Sequence, residues 1–123
     1  MKALIVDDSR FMRAHLRQLL EQMKVECVEA ADGQDALTKV LAAESAFDLM
    51  LLDVNMPKMS GLECLRRLHA DRLQGTMKVV MVTTESDNSF IHDSLESGAD
   101  EFLMKPFAAE ALREKLAMVG LAA

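Results

Sequence analysis

Leu49-Met50-Leu51-Leu52-Asp53 is a run of four apolar residues halted by a carboxylate. A strand with one wet face alternates apolar and polar side chains. A short unbroken apolar run instead suits a strand buried on both faces, as in a parallel sheet covered by helices. The same pattern recurs on either side. Ala3-Leu4-Ile5-Val6 stops on Asp7-Asp8, Val79-Val80-Met81-Val82 stops on Thr83-Thr84, and Phe102-Leu103-Met104 stops on Lys105-Pro106. In an open parallel sheet the carboxyl ends of the strands line one edge, where ligands bind. Four such strands would bring three aspartates, a threonine and a lysine together from distant parts of the chain. Core packing alone does not require that.

The segments between these runs read as helices. Met12, Leu16, Leu19, Leu20 and Met23 form a helical stripe, with Asp8 or Ser9 available as N-cap. Val25 to Ala30 is a partly alternating edge strand closed by the turn pair Asp32-Gly33. Ala36, Leu37, Val40 and Leu41 mark a second helix. The loop Asn55-Met56-Pro57-Lys58-Met59-Ser60-Gly61 leads into a third, with Leu62, Leu65, Leu68 and His69 as its candidate inward face. Ser60 reads as an N-cap and Gly61 as a loop residue. A fourth helix runs from near Ser86 or Asp87 to Gly98, a residue suited to the left-handed position after a helix. Its inward face stays open between Phe90, Ser94 and Ser97 on one side and Ile91 and Leu95 on another. The fifth follows Pro106, with Leu112, Leu116 and Val119 apolar. Five β-α repeats with right-handed crossovers give an α/β fold: a five-stranded parallel sheet with helices on both faces.

At 123 residues the chain reads as one domain over 1–123, burying roughly two thirds of its unfolded surface. A net charge of −6 argues against a nucleic-acid face, which needs clustered Lys and Arg. Arg10, Arg13, Arg17, Arg66 and Arg67 are scattered and read as solvated helix faces. Cys27 and Cys64, far apart and without a CxxC partner, read as buried reduced thiols of a cytosolic protein. The uninterrupted apolar run before Asp7 is four residues long, too short for a signal peptide, and no run approaches the ~20 residues of a membrane span. The expectation is a soluble, cytoplasmic protein. The ten methionines read as adaptable core filling.

Three carboxylates brought together repel one another unless one is protonated or a cation binds. An all-oxygen donor set with room for water and phosphate suits Mg²⁺ better than a Ca²⁺ cage. His15, His69 and His92 fall within predicted helices and form no cluster with Cys, which argues against zinc. A carboxylate held against a metal can attack phosphorus and form an aspartyl-phosphate. Lys105 would then supply a point charge and Thr83 a hydroxyl donor for the phosphoryl oxygens. Singly, each residue has an ordinary reading. Asp7-Asp8 can cap a helix, Asp53 can end a strand, Thr83 can serve a turn and Lys105 can be solvated. Their conjunction at four strand ends is what points to phosphoryl transfer.

Val6-Asp7-Asp8-Ser9, Leu52-Asp53-Val54-Asn55-Met56-Pro57-Lys58-Met59-Ser60-Gly61, Met81-Val82-Thr83-Thr84-Glu85 and Met104-Lys105-Pro106-Phe107 stand in an order and spacing that resembles the receiver domain of bacterial two-component response regulators. The likeness covers essentially the whole chain and is strongest to the single-domain chemotaxis members. It implies a flavodoxin-like strand order of 2-1-3-4-5. It implies Asp53 as phosphoacceptor, served by a phosphohistidine on a sensor histidine kinase. Mg²⁺ would be ligated by Asp8, Asp53 and the backbone carbonyl of Asn55, with Asp7 acting through water. Thr83 and Lys105 would hold the phosphoryl oxygens, and the Lys105-Pro106 bond would be cis. Phe102 matches an aromatic switch position that swings inward as Thr83 closes on the phosphoryl group. Asn55 and Glu85 would flank the attacking water in self-dephosphorylation.

The resemblance further implies a signalling switch rather than an enzyme, catalysing only its own phosphorylation and dephosphorylation. Its partners would be a CheA-like kinase, a downstream protein such as the flagellar motor switch, and a phosphatase, with no nucleic acid and no membrane insertion. Output would be read on the fourth helix, fifth strand and fifth helix, with Ile91, Leu95, Phe102 and Lys115 as candidates. Two departures touch that face. The chemotaxis members carry tyrosine at the place of Phe102, and basic residues where this chain has Asp87 and Asn88. The same chemistry would suit a phosphorelay shuttle, a phosphate sink or a receiver excised from a longer regulator. An aspartate-nucleophile phosphatase of the haloacid-dehalogenase type needs a second Asp where Asn55 stands, and amide chemistry cannot supply its acid. A flavodoxin-like nucleotide binder needs a phosphate loop where Asp7-Asp8-Ser9-Arg10 would repel phosphate without a metal.

Overall fold

Five strands, β1 (Lys2–Val6), β2 (Glu26–Ala30), β3 (Leu49–Asp53), β4 (Lys78–Thr83) and β5 (Glu101–Met104), alternate with five helices. These are α1 (Arg10–Gln22), α2 (Gly33–Ala42), α3 (Gly61–Ala70), α4 (Asn88–Glu96) and α5 (Ala109–Met118). The computed structural model of the chain describes residues 1–54, 56, 58–84 and 88–121, without the side chains of 88–90. All strands pair in parallel, in the order β2-β1-β3-β4-β5. The α/β, flavodoxin-like arrangement expected from the sequence is the one observed.

The unbroken apolar runs have a simple cause. Leu4, Val6, Met50, Leu52, Val79 and Met81 pack on one face of the sheet with Ala36, Leu37, Cys64, Leu65 and Leu68 of α2 and α3. The alternate residues Ala3, Ile5, Leu49, Leu51, Val80, Val82 and Leu103 pack on the other with Leu16 and Leu20 of α1 and Leu112 and Leu116 of α5. Each fully buried Leu, Ile or Val contributes roughly 1.5–3 kcal/mol relative to exposure. The two edge strands keep most of the exposed and partly exposed positions, β2 at Glu26, Val28 and Glu29 and β5 at Glu101, Phe102 and Met104. Cys27 and Cys64 are buried free thiols, and burial pushes each up to about 11. Among the described residues, no helix is long and apolar enough to cross a membrane.

Several local expectations are sharpened or corrected. Ser9, not Asp8, caps α1, its Oγ accepting the Met12 N–H at 3.2 Å. Asp32-Gly33 is not a turn that closes β2. Asp32 caps α2 by accepting the Asp35 N–H at 2.7 Å, and Gly33 is the first helical residue. Leu41 is 67% exposed and His69 is exposed, against expectation. The reason is the same in both helices. The buried faces centre on Gly33, Ala36 and Leu37 in α2 and on Gly61, Cys64, Leu65 and Leu68 in α3. Leu41 and His69 lie about a quarter turn round from those centres. On α4 the open choice of face is resolved by Ser94, which is buried, while Ile91 is half-buried and Leu95 exposed. Gly98 follows that helix at φ 114°. Val119 caps the C-terminal end of α5 and is half-buried, so the buried face of that helix rests on Leu112 and Leu116.

Candidate functional site

The sheet register brings the predicted residues together. Val6 pairs with Leu52, Asp53 with Val82, and Thr83 with Met104. Asp7, Asp53, Thr83 and Lys105 therefore fall within one residue step of a common line across β1, β3, β4 and β5. The N–H of Lys105 donates to the Thr83 carbonyl at 2.8 Å, so the β4–β5 ladder sets both residues at once. The Lys105-Pro106 peptide is cis. Lys105 Nζ lies 3.3 Å from Asp7 Oδ2 and 3.3 Å from Asp53 Oδ1. Asp7, Asp53 and Thr83 are buried, and Asp8 is exposed at the mouth.

Charge in this pocket is unbalanced. Asp7, Asp8 and Asp53 each offer a carboxylate oxygen within 4.8 Å of the others. Among the described residues, one ammonium, that of Lys105, pairs with these three negative charges, which leaves two uncompensated when all are ionised. Burial, and then the neighbouring Asp7, push the Asp53 carboxyl above its ordinary value. Lys105 pulls it down and Asp8 adds a smaller upward push. An excess of two negative charges presented by oxygens alone matches a hard divalent cation, and no His or Cys stands in the cluster to favour a softer one.

The start of α3 is packed directly against the end of β3 at Gly61. A Cβ built there would lie 2.1 Å from the backbone oxygen of Asp53, so no other residue fits without moving the strand end. The Gly61 N–H donates to the Val54 carbonyl at 2.9 Å, and Ser60 caps α3 by accepting the Glu63 N–H at 3.1 Å. The sequence reading took Gly61 as an ordinary loop residue. Its constraint arises where the start of α3 closes back on the end of β3, a contact that hydrophobic periodicity does not register. Gly33 is similar, since a Cβ there would meet the Met59 sulfur at 2.9 Å. Arg13 was also missed. It is no solvated helix residue but 15% exposed, paired to Glu29 at 3.1 Å and donating to the Asp7 carbonyl at 2.6 Å. Asn55 and Glu85 lie outside the described residues, as do Asp87 and the side chain of Asn88.

The expected output residues divide into two groups. Phe102 is half-buried against the α2–α3 side of the core, with Lys115 Nζ 5.1 Å from its ring centroid. Lys115 also reaches Glu101 Oε1 at 3.3 Å, so β5 and α5 present one connected cluster. Ile91 and Leu95 sit one turn apart on α4.

This chain belongs to the response regulator receiver domain family, whose model matches residues 3–117. Its relatives include two chemotaxis proteins. It is 37% identical over 117 residues to the chemotaxis protein CheY of Pseudomonas aeruginosa, covering 94% of this chain and 93% of that protein. It is 35% identical over 120 residues to CheY1 of Helicobacter pylori strain J99, covering 97% and 96%. Among solved structures it resembles the chemotaxis protein CheY4 of Vibrio cholerae, with a TM-score of 0.88 and 35% identity over 96% of this chain and 97% of that one. The receiver family and CheY-like fold read from the motifs are thus borne out.

Proposed function

We propose that the chain is a stand-alone receiver, 1–123, that takes a phosphoryl group on Asp53 from a phosphohistidine of a CheA-like sensor kinase. The observation that carries this reading is the single ammonium of Lys105 set between buried Asp7 and Asp53, with Asp8 completing a carboxylate trio that is two charges in excess. Asp8, Asp53 and the backbone carbonyl of Asn55 would hold Mg²⁺, and Asp7 would act through water. A divalent ion held there would supply charge neutralisation for the phosphoryl oxygens. An Asp53 oxygen forms the new bond to phosphorus as the bond from histidine nitrogen breaks, and the imidazole keeps the bonding pair. Lys105 turns from Asp53 to a phosphoryl oxygen as charge moves outward, while Thr83 offers its hydroxyl to another.

The output is a protein contact, not a chemical product. As Thr83 closes on the phosphoryl group, Phe102 is drawn inward and the α4–β5–α5 face changes, a population shift driven by the new contacts. Phe102 has no hydroxyl to anchor it in either position. Ile91, Leu95, Phe102 and Lys115 are the residues a partner would read there, in chemotaxis the flagellar motor switch. Asn55 and Glu85 would set the rate at which water, or a phosphatase, removes the group. The likeness to CheY proteins over nearly the whole chain supports this pathway and a cytoplasmic setting. The test is intact mass after incubation with Mg²⁺ and a small phosphodonor. Wild type gains one phosphoryl group and Asp53→Ala gains none. An equal adduct on both would remove the mechanism.

A further inference from the structure

Asp7 is tied at every polar atom. Its N–H donates to the Ala30 carbonyl at 3.2 Å, Oδ1 accepts the Ser9 N–H at 2.8 Å and Oδ2 accepts from Lys105 at 3.3 Å. Its carbonyl accepts from Nη1 of Arg13 at 2.6 Å. Asp8 is different. It is exposed, and its carboxylate makes no hydrogen bond or ion pair among the described residues. Among the described residues, no side chain holds it in place, so its placement depends on the backbone from which it departs.

The Asp7 carbonyl belongs to the peptide that joins Asp7 to Asp8, and that unit is planar. A donor that fixes this oxygen therefore fixes the plane from which both side chains depart. Arg13 can do so because it is itself clamped. Its Nε donates to Glu29 Oε1 on β2 at 3.1 Å, and the other Glu29 oxygen accepts from Arg17 Nε at 2.7 Å. Burial would raise the Glu29 carboxyl, yet the guanidinium groups of Arg17 and Arg13 hold it below its ordinary value. A guanidinium presents a rigid fork of donors, so one edge can grip the carboxylate while another reaches the carbonyl. A lysine has one flexible head and cannot hold both in fixed geometry.

We propose that Arg13 is a positioning residue for the acidic pocket: clamped by Glu29, it fixes the Asp7–Asp8 peptide so that both carboxylates are presented to a divalent cation. This rests on the reading of the pocket as a Mg²⁺ site. Arg17 shares Glu29 with Arg13 but makes no bond to Asp7, and so serves as the internal control.

The test titrates MgCl₂ by calorimetry into the full chain as wild type, Arg13→Met and Arg17→Met, with amide exchange at Asp8 and Ser9 followed in metal-free protein. Loss of a residue that orients metal ligands commonly weakens affinity roughly 10–100-fold, and Arg13→Met is expected at about tenfold, with Arg17→Met within about twofold of wild type. Exchange at Asp8 and Ser9 is expected to quicken only in Arg13→Met. Should that variant fail to fold, Arg13→Lys, which keeps a charge beside Glu29 but not the fork, is expected to show the same weakening in smaller measure. Wild-type affinity in the Arg13 variants overturns the inference. So does equal weakening by Arg17→Met, which would trace the effect to a loosened α1–β2 contact. A wild-type protein that binds no Mg²⁺ defeats the proposed function itself, a different result from wild type and variant binding alike.

Discussion

The carboxyl edge of the sheet and helix α4 bury polar groups in opposite ways. At the edge, Asp7 has a partner for every polar atom, and buried Asp53 is met by Lys105 at 3.3 Å. On α4, Ser94 is 2% exposed and its hydroxyl has no hydrogen-bond partner among the described residues. A buried hydroxyl without a partner opposes folding by roughly 1–3 kcal/mol. The edge is built as a fixed frame with charge left over for a ligand. The α4 interface instead buries a hydroxyl that opposes the packing of the helix.

Tampering with the frame should have the largest effect. Gly61→Ala drives a Cβ toward the Asp53 backbone oxygen, which cannot rotate away, and is expected to destabilise the fold by about 3 kcal/mol. Urea unfolding followed by circular dichroism checks this, because the chain has no Trp or Tyr for fluorescence. A change within about 0.5 kcal/mol would mean that the loop is not held as described.

Asp53→Asn tests the leftover charge. Burial and Asp7 raise the Asp53 carboxyl in the folded state, so the folded protein holds that proton more tightly than the unfolded chain. The stability linked to it is present in acid, below the ordinary carboxylate value, and is lost as pH rises through the raised value. At neutral pH without Mg²⁺, wild type carries a buried charge that the variant lacks. The variant is expected to be more stable by on the order of 2 kcal/mol, part of the several that a buried ion costs. The gap should close as pH falls below about 3.9. Saturating Mg²⁺ should reverse the order, since binding stabilises only the protein that holds the ion. A variant no more stable than wild type at neutral pH without Mg²⁺ would contradict the description of the pocket.

Ser94→Ala is the smallest change and acts on the other side of the comparison. Removing the unpartnered hydroxyl, and gaining the better helix former, is expected to stabilise by about 1 kcal/mol. The same variant should bind Mg²⁺ as wild type does, because nothing at the carboxyl edge has changed. Loss of stability would mean that the hydroxyl has a partner of its own, such as bound water.

What was legible in the sequence follows from the same contrast. Strands buried on both faces need a continuous apolar run, so β1, β3 and β4 announced themselves, the short apolar run of edge strand β5 extended the pattern, and the stopping residues marked the candidate site. Asp7, Asp53, Thr83 and Lys105 needed only the register to bring them together. Gly61, Gly33 and Arg13 were opaque because their roles come from close tertiary contacts that periodicity does not show: the oxygen at the end of the preceding strand, a methionine sulfur and the Asp7 carbonyl. The inward face of α4 was illegible for the reverse reason. Its buried residue Ser94 is polar, so hydrophobic periodicity had nothing to register. Leu41 and His69 were misplaced by stripes drawn a quarter turn too wide.

The chemistry of the edge is tested most directly by locating the phosphoryl group on the chain. After reaction with Mg²⁺ and a small acyl phosphate, borohydride converts an aspartyl-phosphate to homoserine, and tandem mass spectrometry of the digest reads which residue changed. The expected result is conversion at Asp53 alone, present with Mg²⁺ and lost when the ion is chelated. Conversion at Asp7 or Asp8, equal conversion without Mg²⁺, or none at all would contradict it.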